Sequence, residues 1–486
     1  MILPSILYYT TIQQPLVCQS TQVWQCSNVI IASPNNFNPD LDSPKPLPSP
    51  KPSPVIPPKP IQKPVIQPTA PQLPATQEIN VPSFPNSPPR LTQEADLIAA
   101  KRAWKYFERN WNPQTGLVNS SDNIPWTTWW DQGSAILGTH AAYELGLVPN
   151  DVFHKRISTL LHTLEKLPRA ATGLPNKAYS THTAQMRQLN NTPDPKGISG
   201  WSALDMARLL VALHVIRSHY PEYSADVNRI VARWNLSKLV KDGWLNGGIT
   251  GANGQIIEVQ EGRFGYEQYA ALSLKLWNIQ APNALKNPPV KPRIVDGITL
   301  QIDERNFKNS GATNYLTNDP YLLWGLELGW TNAIKPQVKN ILKVQAQRFQ
   351  RTGILTAVNE DSLDRVPYFL YYSIYANDEP WQAVNTRGKA YPQFRFLSTK
   401  AAFSWFALMP DNSYTKKLRD SVQNLTDEKR GYFSGLYENR KIGVNKSVDV
   451  NTNAIILESL LYQVRGRHPL IQEGEFKTKN PPSCNA

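Results

Sequence analysis

Acidic side chains gather beside aromatic ones at three places in this 486-residue chain. The first is Trp126, Trp129, Trp130 and Asp131. The second is the segment from Gly243 to Gly265, with seven glycines in 23 residues, and it carries Glu258, Glu261 and Arg263 and leads into Tyr266 and Glu267. The third is Asn359-Glu360-Asp361-Ser362-Leu363-Asp364-Arg365, followed by an aromatic run through Tyr368 and Tyr372 and then Trp381. Paired carboxyls suit cleavage of an acetal, where one donates a proton to the leaving oxygen and the other activates water or attacks carbon. Flat rings suit a sugar, whose C–H faces stack on them. Glycine lets backbone bend tightly and approach a ligand closely.

On this reading Glu261 or Glu267 donates the proton, and Glu360, Asp361 or Asp364 serves as base or nucleophile. Trp129, Trp130, Asp131, Trp201, Arg263, Tyr266, Asp319, Tyr368, Tyr372, Trp381 and Asp449 are candidates for holding the substrate. Each acid also has a structural reading. Thr128-x-x-Asp131 and Ser202-x-x-Asp205 fit the capping-box pattern. Glu267 would be a favourable charge at a helix N-terminus. Asp319 and Asp449 would cap their helices, and Arg365 would pair with Asp361 or Asp364.

Other chemistries lack their residues. Cysteine occurs only at 18, 26 and 484, outside the body of the chain, so that body has no internal disulfide and no thiolate metal site. No histidine pair has metalloprotease spacing, and no GxGxxG after a strand, GxxxxGK[ST] or GxSxG motif occurs. No metal or cofactor is therefore expected. The net charge of +13 is scattered, without a dense basic block, which speaks against nucleic acid as partner and leaves a polysaccharide or oligosaccharide.

These residues must be positioned by helices. From Leu91 onward apolar residues recur at three- and four-residue spacing. Six times a Gly- and aromatic-rich loop ends in a polar cap and opens an unusually apolar helix. The openings lie at Asp131, Asp205, Glu267, Asp319, Phe396–Thr399 and Asp449. More polar, one-sided helices lie between them, over about Glu94–Trp111, Asn150–Lys166, Tyr223–Leu239, Pro336–Arg348 and Tyr414–Leu425. Residues 281–295 stay undefined, because prolines interrupt them. Helices apolar on most of their circumference are buried on most sides. The expected fold is therefore all-α, an (α/α)₆ toroid with six inner and roughly six outer helices and short strands in the loops.

The chain divides by composition. Residues 1–33 form an uncharged apolar leader, a possible remnant signal. Residues 34–90 hold 19 of the 42 prolines and read as a disordered, polyproline-like tether. Residues 91–470 form the toroid domain, and residues 471–486 a C-terminal tail. No run of about 18 apolar residues occurs, so no transmembrane segment is expected. The tether favours an extracytoplasmic location, in the periplasm or cell envelope.

The segments WKYFERNWNPQTGLV, WTTWWDQGSAILGTHAAYELGLV, TGLPNKAYS, SALDMARLLVAL, RFGYEQYAA and NEDSLDRVPYFLYYSIY resemble the bacterial family catalogued as domain of unknown function 3131. The resemblance spans Leu91 to Leu470. It implies a glucoamylase-like toroid and carbohydrate chemistry, a glycoside hydrolase or transglycosylase acting on a bacterial polysaccharide. It supplies no catalytic residues. Two other readings stay open: a non-catalytic glycan-binding or assembly module, and a lyase or epimerase using Arg263, His182 and Tyr179.

Overall fold

A computed structural model describes residues 91–476 apart from positions 92, 251, 252, 254 and 287. The leader, the whole of the tether and residues 477–486 of the tail lie outside the described residues.

The described helices, in chain order, are α1 (Glu94–Asn110), α2 (Trp129–Glu144), α3 (Asn150–Lys166), α4 (Ala203–His219), α5 (Ser224–Ala232), α6 (Tyr266–Lys275), α7 (Pro282–Lys286), α8 (Phe307–Ser310), α9 (Asp319–Leu323), α10 (Lys335–Thr352), α11 (Thr399–Leu408), α12 (Ser413–Val422) and α13 (Val450–Val464). A π-helical turn, Trp324–Leu328, continues α9. The six apolar helices read from sequence are α2, α4, α6, α9, α11 and α13. Each packs on two others, in the order α2, α4, α6, α9, α11, α13 and back to α2. Their composition requires this: α4 is buried without a break from Ala203 to Ile216, so it needs neighbours on all sides.

Small residues set the spacing. A Cβ on Gly133 of α2 would meet the Arg208 carbonyl of α4 at 2.8 Å, and one on Gly138 would meet the Ala454 Cα of α13 at 3.0 Å. The polar helices bury one face each. α1 lies on α13 and α2, α3 on α2 and α5, α5 on α4, α7 on α6, and α12 on α11.

All six buried helices start at the same end. The Asn451 amide near the start of α13 donates to Asp131 near the start of α2 at 2.8 Å. Lys400 of α11 reaches Asp319 of α9 at 3.2 Å. Burial of Tyr266, the first residue of α6, is accompanied by the charges of Glu360 and Asp319. Six sets of free backbone N–H groups and six positive dipole ends therefore converge there, which favours carboxylates.

Three expectations change. The helix expected over Tyr223–Leu239 is broken into a 3₁₀ turn, α5 and a second 3₁₀ turn at Leu236–Leu239. Residues 281–295 divide between α7 and a strand, Val290–Val295, which pairs antiparallel with Ile298–Asp303. Pro288, Pro289 and Pro292 deny a helix its N–H donors but fit an edge strand. The strands are also more substantial than short loop pieces. Phe369–Ala376 is eight residues long, buried throughout, and central between Glu360–Ser362 and Glu379–Val384. Among the described residues no helix is long and apolar enough to cross a membrane.

Candidate active site

The acids at the common N-terminal end fall into two kinds, those whose oxygens are occupied and those whose oxygens are not. Asp131 is occupied. It accepts from Asn451, from the Thr128 hydroxyl at 2.8 Å and backbone N–H at 3.2 Å, and from Ser120, and it closes the capping box read from sequence. Asp449 is the N-cap of α13. It accepts from the Thr452 N–H at 2.7 Å and from the Ser434 and Thr452 hydroxyls at 2.7 and 3.0 Å. Glu267 accepts from Arg305 at 2.7 Å on one oxygen and from Gln260 at 3.0 Å on the other. Asp364 stands away from the buried acids, paired with the partly exposed Arg365 at 2.8 Å and receiving the Tyr437 hydroxyl at 2.8 Å. Glu267 and Asp364 thus leave the set of free carboxyls, and Arg365 chooses Asp364, not Asp361.

Two groups of incompletely satisfied acids remain. The first is Asp205, Glu261 and Lys177. Asp205 closes no hydrogen bond through either carboxyl oxygen, although it is fully buried. Ser202 caps α4 as expected, accepting from the Asp205 N–H at 3.1 Å. The reciprocal half of the box is replaced by Glu261, 58 residues on, which accepts from the N–H groups of Ala203 and Leu204 and keeps its other oxygen free. Burial raises Asp205 well above the usual carboxylate range. The negative charges of Glu261 and Asp131 add to this, and Lys177 opposes it. Glu261 is also raised by burial, against the pull of Lys177 and its hydrogen bonds. Burial lowers Lys177 to about 8, against the attraction of Glu261 and Asp205.

The second group is Asp319, Glu360, Asp361 and Lys400. One Asp319 oxygen receives the Lys400 ammonium at 3.2 Å and the Asn359 amide at 2.9 Å, and the other is unpartnered. Asp361 lies 3.6 Å from the same ammonium. One Glu360 oxygen is unpartnered, and the Tyr266 hydroxyl lies beside that carboxyl without closing a hydrogen bond of ordinary geometry. Burial pushes Glu360 and Asp361 well above the usual range. Asp319 adds to the shift at Glu360 and Asp449 at Asp361, while Lys400 opposes both. The two groups flank a wall of tyrosines. Tyr315 feels both Glu261 and Glu360, stacks on Tyr371 with ring centres 4.3 Å apart, and meets Tyr266 edge-on.

Most of the remaining candidates have fixed packing roles. Trp129 donates to the Asn176 carbonyl at 2.7 Å and packs on Tyr179. Trp201 donates to the Asn246 carbonyl at 2.9 Å. Tyr372 donates to Glu438, which pairs with Arg348, and Arg348 lies over Trp381. Tyr368 and Trp381 both sit at positive φ, 69° and 54°. Trp130 and Tyr266 do reach the site, with ring centres 6.1 Å apart. Trp129 and Trp130 are both buried, on different sides of α2, as their 100° divergence requires. The lyase candidates are bound to other partners or face solvent. Arg263 donates to Gln260, Ser310 and two backbone carbonyls, Tyr179 donates to the Pro168 carbonyl, and His182 is exposed.

Sequence reasoning did not single out Lys177, Lys400, Asn359 or Tyr315, and it assigned Asp205 to capping. The readable signal was a lone lysine opening the otherwise apolar segment KAAFSWFALM.

Below the acids, Arg208 of α4 sits in the middle of the cycle. It pairs with Glu327 of the π-turn and with Glu458 of α13 at 3.2 Å, and all three side chains are fully buried. Tyr269 of α6 joins them, accepting from Arg208 at 3.1 Å and donating to Glu327 at 2.7 Å.

The model of a protein family of unknown function, DUF3131, matches residues 98–466. The chain belongs to this family. No curated protein matches it. Among solved structures, the endo-β-1,2-glucanase of Chitinophaga pinensis, in complex with sophorotriose and glucose, is 12% identical. The match covers 77% of this chain and 95% of that one, with a TM-score of 0.53. The endo-β-1,2-glucanase of Talaromyces funiculosus, in complex with sophorose, is also 12% identical, over 77% of this chain and 84% of that one, with a TM-score of 0.53. A Bacteroides fragilis protein provisionally named a glucoamylase is 14% identical, over 77% and 94%, with a TM-score of 0.52. At these identities the likeness is one of fold.

Proposed function

We propose that the six-helix cycle is the inner ring of an (α/α)₆ toroid and that its N-terminal end is the active site of a glycoside hydrolase acting on a neutral glucan. The observation that carries this reading is the two clusters of buried carboxyls with unpartnered oxygens beside the tyrosine wall, each cluster supplied with one lysine. A carboxyl left buried without partners costs stability, and perturbed acids concentrate where chemistry is done. A binding module needs the aromatic wall but not these acids.

Asp205, whose carboxyl closes no hydrogen bond of ordinary geometry and is pushed up by burial and by Glu261, holds the proton that goes to the leaving glycosidic oxygen. Asp319, held by Lys400 and Asn359 with one oxygen free, takes the proton of the attacking water. Tyr266 and Tyr315 supply the flat face for the sugar. The ligands bound in the fold relatives, sophorose and sophorotriose, make β-1,2-linked glucan the first substrate to try.

The test is incubation of the full-length protein with β-1,2-, β-1,3-, β-1,4- and α-linked glucans and with polyuronates, followed by mass spectrometry. Hydrated oligosaccharides from one neutral glucan, absent with D205N and D319N, support the reading. Unsaturated products, or full activity in both variants, would overturn it.

A further inference from the structure

Lys400 is the second residue of α11, and its side chain is 3% exposed. The charged groups that act on it most strongly are all acidic. Asp319 comes from α9, Glu360 and Asp361 from the strand Glu360–Ser362, and Asp449 from the cap of α13, and all four act on its ammonium. A lysine at the positive end of a helix is placed against the dipole. Burial of an ammonium costs more still. Packing does not account for such a residue, since an apolar side chain of the same length would fill the space in a helix that is otherwise AAFSWFAL.

We propose that Lys400 is a positioning residue of the site, its ammonium holding Asp319 and Asp361 in place and balancing the charge of the buried acids around it. This rests on the reading of the site as catalytic. The ammonium contacts two carboxylates directly, at 3.2 and 3.6 Å, and so links α9, α11 and the Glu360–Ser362 strand. Without it, the four buried carboxyls of Asp319, Glu360, Asp361 and Asp449 would lose the cation they share, and like charges in one enclosure cannot all ionise. Protons would then be taken up on folding by the raised acids Glu360 and Asp361, and Asp319 would lose the cation that orients it.

The sign follows from linkage. Carboxyls whose folded pKa is raised bind more protons folded than unfolded, so their contribution to stability falls as pH rises above the ordinary carboxylate range. The wild type is partly protected by Lys400, and K400M is not.

The experiment is thermal melting of full-length wild type, K400M, K400R and K400M/D361N between pH 5 and pH 8. The melting-temperature gap between wild type and K400M should at least double from pH 5 to pH 8. K400R should show a gap that does not widen with pH, and K400M/D361N should narrow the pH 8 gap. A K400M gap that is equal at both pH values would overturn the proposal, because lost packing is indifferent to pH. If K400M does not fold, the K400R profile and recovery of folding by K400M/D361N decide the matter in the same way. On a glucan that wild type cleaves, K400M should lose at least 100-fold in kcat with KM within threefold, and unchanged kcat would also overturn it. Failure of wild type to cleave any glycan would sink the hydrolase reading alone, and the melting series would still decide whether Lys400 governs the charges.

Discussion

Replacing Arg208 by methionine removes the positive charge shared by Glu327 and Glu458 at the centre of the helix cycle. Methionine roughly matches the aliphatic stem, so the change is chiefly electrostatic. Removing one partner from a buried ionic group costs about 3–5 kcal/mol, because the charges left behind stay buried. Unfolding entropy of about 2.1 cal/mol/K per residue, over roughly 380 residues, amounts to about 0.8 kcal/mol/K. The melting temperature of R208M should therefore fall by about 4–6 °C near pH 8. Glu458 is already raised well above its ordinary value by burial, against the pull of Arg208. Without the arginine, Glu458 must take up a proton to stay buried, so the loss should shrink toward pH 5. Circular dichroism melts at the two pH values measure this. The triple variant R208M/E327Q/E458Q, neutral throughout, should recover most of the difference. A fall below about 1 °C, or one that is the same at pH 5 and pH 8, would refute the view that this triad is a charge-balanced clasp between α4, α13 and the π-turn.

Other consequences follow from single contacts. A Cβ on Gly248 would stand 2.5 Å from the Trp201 ring, so G248A should cost about 1–3 kcal/mol and shift Trp201 fluorescence. Glu267 has both oxygens engaged by Arg305 and Gln260. E267Q should lower stability by about 1–3 kcal/mol while kcat stays within threefold, and a 100-fold loss would return Glu267 to the chemistry. Asp205 works protonated, so kcat/KM should fall as pH rises through its raised pKa. Glu261 is the neighbouring charge that raises it most, so E261Q should move that alkaline limb to lower pH, and a limb that moves up or stays would count against Asp205 as donor.

The helices were legible because local signals define them. Periodicity marks α1 and α3 to within a residue, and Thr128, Ser202 and Asp449 cap where the capping pattern places them. The strands were less so. Prolines hid the Val290–Asp303 hairpin, and the buried run Phe369–Ala376 lacks the alternation that marks a half-exposed strand. The site was legible by neighbourhood and not by role. Acid next to aromatic located the right loops, but the job of each acid depends on partners far along the chain. Glu261 caps a helix 58 residues before it. Glu267 is tied to Arg305, and Asp205 is freed from a box whose sequence pattern it completes. Lys400 and Lys177 carry no motif, and their meaning arises only from the acids that folding brings around them.

The central claim is that Asp205 supplies the proton for glycoside cleavage. The most direct test compares full-length wild type and D205N on the best-cleaved glucan oligosaccharide, measuring single-turnover rate and, by calorimetry, affinity. The account predicts a rate at least 1000-fold lower in D205N with Kd within threefold. A D205N rate within tenfold of wild type would contradict it.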